Sequence, residues 1–106
     1  MLIIRHKSGP LAGREQQIDQ KDRITFGRDP KVCDVVYPPD EVLVARRHFA
    51  LAKKPSGEWT FDLFGDLFLA MDGQPVDQAE AVCDGAKIEL GKRGGPSFEV
   101  ILPGRR

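Results

Sequence analysis

The chain has 106 residues, 41% hydrophobic and 30% charged, with 16 lysines and arginines balanced by 16 aspartates and glutamates. That length supports one hydrophobic core and not two. A formal charge of zero lacks the basic footprint of a nucleic-acid binder, so any anion site must be local.

In chain order, the apolar run 2–4 ahead of Arg5 is too short for a secretory core, and no later run approaches a membrane span. The chain is therefore expected to be cytoplasmic, with no membrane contact of its own. Turn-forming clusters follow at SGPLAG (8–13), DQKD (19–22), RDPK (28–31), YPPD (37–40), KPSGE (54–58), MDGQP (71–75), CDG (83–85) and GKRGGP (91–96). Their glycines, prolines and aspartates supply the backbone angles that turns need. The runs between them are short, and several alternate with period two. Ile24 and Phe26 flank Thr25; Trp59, Phe61 and Leu63 oppose Thr60 and Asp62; Ile88 and Leu90 oppose Lys87 and Glu89. Such alternation predicts half-buried strands, and strands at this spacing without a helical pattern predict an all-β sandwich. The segment DQAEAV (77–82) is too short for a stable helix and reads as a loop.

Catalytic patterns are lacking. Ser8, Ser56 and Ser97 stand in turn clusters outside any GxSxG context, and the two histidines have no HExxH partner. Cys33 and Cys83 form no CxxC pair and read as two buried or half-buried thiols; a zinc site with His6 and His48 has no ligand spacing to recommend it. GKRGGP has no following helix, so it reads as a loop joining strands rather than a phosphate cradle. No enzyme activity, cofactor or metal is expected.

The informative stretch is VLVARRHFALA (42–52), where Arg46, Arg47 and His48 interrupt an apolar run. Burying unpaired cations is costly, so this trio must stand where a loop enters a strand or face an anion. Some twenty residues earlier, ITFGRDPKVCDVV runs strand, Gly27-Arg28, turn, strand.

Together the two segments resemble the forkhead-associated (FHA) family of phosphothreonine-binding domains. That family has a Gly-Arg pair after a strand, then a Ser-Arg-x-His box, then a D-L-x-S-x-N-G-T-x-x-N-G segment. FGRDPKVCDVV matches the first element and VARRHFAL the second with one change. DLFGDLFLAMDG (62–73) occupies the third, keeping little beyond Asp62, Leu63 and Gly73. GPLAGREQQI is similar to the family's first hairpin. The resemblance spans residues 2 to 102 and implies an FHA-like β-sandwich of about ten or eleven mostly antiparallel strands. The stretch 1–106 reads as one such domain, its end at LPGRR compatible with a piece cut from a longer protein.

By position, the resemblance implies that Arg28 faces the phosphate and that Arg46 assists, with Arg47 at the variable place beside it. It implies that His48 braces the loops from behind. Two family positions are replaced: the serine whose hydroxyl meets the phosphate is Ala45, and the asparagine that clamps the ligand backbone is Leu67, followed by Phe68. A lost hydrogen bond to a charged group is worth about 1.5–3 kcal/mol. Both losses together imply an affinity lower by roughly a hundredfold to ten-thousandfold. The replacements are apolar, and Val42, Leu43 and Phe68 join Ala45 and Leu67 on the recognition loops. The expectation is a non-catalytic interaction module of bacterial signalling, with phosphothreonine recognition weakened or lost. Its loop tip is expected to meet a protein partner, or a second copy, by apolar contact. Three other readings stay open: Leu67 and Phe68 folded inward to plug the site; a phosphothreonine reader using Arg46, Arg47 and Asp66; and a domain regulating a larger enzyme in cis.

Overall fold

The structure is a computed structural model and describes residues 1–65, 67–76 and 80–103. Among the described residues there are ten strands: β1 (Leu2–Ser8), β2 (Glu15–Ile18), β3 (Arg23–Gly27), β4 (Val35–Val36), β5 (Phe49–Lys53), β6 (Trp59–Leu63), β7 (Leu69–Met71), β8 (Gln74–Pro75), β9 (Lys87–Leu90) and β10 (Ser97–Ile101). They form a six-stranded sheet, β2-β1-β10-β9-β7-β8, and a four-stranded sheet, β4-β3-β5-β6. Every named pairing is antiparallel except β3 with β4. The expected all-β sandwich of mostly antiparallel strands is the observed fold.

The inward residues of the two sheets meet in one apolar layer. Phe26 of β3 stacks on Phe49 of β5 at 4.4 Å and on Phe98 of β10 at 4.9 Å between ring centroids. Ile24, Leu51, Ile4, Ile88, Leu90 and Val100 complete its centre. Strand β9 alternates as its sequence predicts, Ile88 and Leu90 inward. Strands β3 and β6 do not: Thr25 and Thr60, expected outward on solvent, are buried. Over β5 only Ala50 and Ala52 stand on the outer face, and the Arg23–Asp62 ion pair (2.6 Å) reaches across them from β3 to β6. Thr60 is covered because segment 80–82 runs along the free edge of β6: Val82 N–H donates to Trp59 C=O (2.8 Å) and Phe61 N–H to Glu80 C=O (3.2 Å). That covering also removes an exposed sheet edge. Of the expected loop 77–82, residues 77–79 lie outside the described residues and 80–82 are not helical.

Tyr37, only 1% exposed, leads into the long connection between β4 and β5. Its ring meets His6 edge-on, and its hydroxyl has no hydrogen-bond partner among the described residues. Burial, with Glu41 nearby, pushes the phenol well above its usual range, so it stays neutral. An orphaned buried hydroxyl carries a desolvation cost that phenylalanine avoids, so Tyr37→Phe is expected to raise the urea midpoint, a gain of about 1 kcal/mol. A comparable loss would reveal a partner for the hydroxyl.

Candidate functional site

Four connections meet at one end of the sandwich: 28–34 between β3 and β4, 37–48 between β4 and β5, 64–68 between β6 and β7, and 91–96 between β9 and β10. The longest, 37–48, is pinned at three depths. Tyr37 donates its N–H to Gly27 C=O (2.8 Å), the Val44 side chain is wholly buried, and His48 sits beneath the loop at 2% exposure. The apolar run in VLVARRHFALA therefore splits, Val44 anchoring while Val42 points out.

Gly27 ends β3 because a backbone carbonyl needs its space. A Cβ there would stand 2.7 Å from the Arg46 carbonyl carbon, 2.9 Å from Cys33 Sγ, and closer still to the Arg46 oxygen. That oxygen accepts from Arg28 N–H (3.0 Å), Asp29 N–H (3.2 Å) and the Cys33 thiol (3.2 Å). The trio Arg46-Arg47-His48 precedes β5, where a loop enters a strand.

Arg28 is half-buried and fastens the long loop from within. Its Nε donates to Val44 C=O (2.6 Å) and its Nη1 to Pro39 C=O (2.8 Å). Arg28, Asp29, Pro30, Lys31, Pro39 and Arg46 line a cleft of about 420 Å³. Three cations thus face one carboxylate, and that carboxylate turns one oxygen to Lys31 N–H (3.0 Å). None of the lining side chains carries a hydroxyl. Arg47 stands apart, its guanidinium over the Phe64 ring at 4.4 Å, a ring that Arg23 also covers at 5.6 Å. Lys31 was not singled out from sequence, although RDPK places a third cation three residues after Arg28.

His48 joins two loops. Its Nδ1 accepts from Ala45 N–H (3.1 Å), which leaves the proton on Nε2 to donate to Phe68 C=O (2.9 Å). Burial holds its pKa below the ordinary histidine value against the smaller opposing pull of the Phe68 carbonyl, so the neutral ring is favoured. Phe68 C=O also accepts from Gly91 N–H (3.1 Å). Gly91, at φ +82, lies against Leu43, where a Cβ would come within 2.7 Å of the leucine Cβ.

Of the apolar residues on these loops, Val42 is 88% exposed and Leu67 38% exposed, while Leu43, Ala45 and Phe68 are half-buried. Asp66 lies outside the described residues. Cys33 is buried and its thiol is pushed up by burial; Cys83 is exposed, because it sits in a turn, and so departs from the expectation of two covered thiols. Among the described residues no group of histidine, cysteine and carboxylate side chains has metal-binding geometry, and no helix is long and apolar enough to cross a membrane.

No protein-family model matches the sequence, and neither does any curated protein. Solved structures do match. The FHA domain of an Arabidopsis thaliana hypothetical protein superposes with a TM-score of 0.82 at 20% identity, over 95% of this chain and 84% of that one. The N-terminal FHA domain of an S. cerevisiae protein, solved in complex with a phosphothreonine peptide, gives 0.77 at 17% identity over 98% and 94%. The cytoplasmic domain of the P. aeruginosa type III secretion sorting-platform protein PscD gives 0.76 at 22% identity over 99% and 82%. These likenesses establish an FHA-like fold.

Proposed function

From an FHA-like fold with this loop end, we propose that the chain is a non-catalytic protein-interaction module of bacterial signalling, in which phosphothreonine recognition is weakened or lost. The carrying observation is the pairing of two exposed apolar side chains, Val42 and Leu67, with a basic cleft that has no hydroxyl. Apolar side chains held out on a braced loop favour a partner surface over bulk water. Arg28 spends Nε and Nη1 on carbonyls, Ala45 supplies no O–H, and Leu67 can neither donate nor accept. The Ala45 and Leu67 replacements each remove a side-chain contact with a phosphorylated ligand, and Arg28 keeps fewer N–H groups free for one.

The test is a degenerate peptide library with a fixed phosphothreonine, titrated beside its unphosphorylated twin. The expected preference for the phosphorylated pool is weak, with dissociation constants in the range of about 0.1–1 mM. Selective low-micromolar binding that disappears in a folded Arg46→Ala variant would overturn this reading in favour of a phosphothreonine reader.

A further inference from the structure

We infer that the Arg28–Lys31–Arg46 cleft takes carboxylates, and that its ligand is an acidic segment of a partner protein, held whether or not the partner is phosphorylated. This deepens the proposed function and rests on it.

Choosing a phosphate monoester over a carboxylate requires donors arranged around a tetrahedral group. The cleft offers charge without that arrangement. The Arg28 fork, which elsewhere grips an oxyanion through two parallel N–H bonds, has Nε committed to Val44 and Nη1 to Pro39. Lys31 contributes a point charge on a flexible stem. The exposed Arg46 and Lys31 side chains make no hydrogen bond or ion pair with another described residue, so both remain available. Two walls are prolines, Pro30 and Pro39, which carry no backbone N–H. A volume of about 420 Å³ falls in the range of small-molecule sites and holds more than one side chain. Three cations against Asp29 leave the cleft positive, complementary to paired aspartates or glutamates. A protein is favoured over a nucleic acid because the whole chain is charge-balanced and the same loop presents Val42 to solvent.

The experiment uses three labelled peptide pools with identical degenerate flanks and a fixed centre of Glu-Glu, phosphothreonine-Thr or Thr-Thr, with a single-stranded DNA of equal length as a fourth probe. Fluorescence anisotropy gives affinity, and backbone amide shifts locate the contact. The Glu-Glu pool is expected to bind within about threefold of the phosphothreonine pool and about tenfold tighter than the Thr-Thr pool. Its binding should weaken with added salt and fall about tenfold in the Lys31→Glu/Arg46→Glu double variant. Both substituted side chains are exposed, and an unchanged melting temperature verifies the fold. A Glu-Glu pool no tighter than Thr-Thr, DNA binding equal to it, or amide shifts away from residues 28–46 each overturn this inference and leave the interaction-module reading standing. Low-micromolar binding confined to the phosphothreonine pool overturns both.

Discussion

Replacing Gly27 with alanine is expected to destabilise the protein by about 3 kcal/mol, at the upper end of the usual cost of overpacking. The added methyl meets the Arg46 carbonyl group, which is backbone, and the sulfur of the buried Cys33, whose short side chain is hydrogen-bonded to that same carbonyl. For the carbonyl to retreat, it must release the Arg28 and Asp29 amides and the Cys33 thiol together. The backbone of Arg46 is also tied through Ala45 and His48 to the rest of the loop end, so a local shift spreads. Urea unfolding followed by tryptophan fluorescence measures the loss, and the Arg28 amide resonance reports whether the loops have parted. A midpoint within experimental error of the wild type, with that resonance unmoved, would refute the claim that this glycine makes room for the carbonyl.

His48→Ala is expected to cost about 3 kcal/mol, from an unpartnered Ala45 N–H, a weakened Phe68 carbonyl and a cavity. Phe68 C=O keeps its bond from Gly91, so the loop 64–68 should loosen rather than detach. The same residue sets an acid limit. Burial lowers the pKa of both His48 and His6 below 6.5 in the folded state, so the unfolded chain binds protons more readily. Stability from this source is complete above about pH 6.5 and falls as pH drops through that value toward the folded-state pKa values. Urea midpoints should therefore decline from about pH 7.5 to 5.5, and the decline should be shallower in His48→Ala. The slope that persists belongs to His6, whose Nε2 meets Gln16 Oε1 at 2.8 Å. A midpoint flat across that interval in the wild type would show that neither ring is held neutral.

What could be read from the sequence was whatever short-range pattern dictates. Turn clusters and period-two runs gave the strands, and the Gly-Arg and Arg-x-His segments marked the loop end. What escaped depends on contacts between distant residues. Gly27 is a glycine because of Arg46, nineteen positions on. Thr60 is buried by Ala81 and its neighbours, which alternation within β6 does not announce. The resemblance gives Arg28 the phosphate, Arg46 an assisting place and Arg47 the variable position beside it. The fold spends much of the first on carbonyls, leaves the second free in the cleft and lays the third on Phe64. Lys31 was visible in RDPK but gained meaning only where the fold sets it with Arg28, Pro39 and Arg46 around one cleft.

The pairing of β1 with β10, in register from Ile3 and Ile101, also orders how the molecule assembles. Most pairings join strands close in sequence, β1 with β2 and β9 with β10 among them, whereas the β1–β10 pairing that closes the six-stranded sheet spans almost the whole chain, a slow closure. The arginines of the loop end adjoin β3 and β5 of the four-stranded sheet. Their braces, Phe68 and Gly91, come from the connections that border β7, β9 and β10 of the other sheet. A chain with only the four-stranded sheet in place therefore carries the charges without their bracing, and a competent binding surface requires that the two sheets have docked.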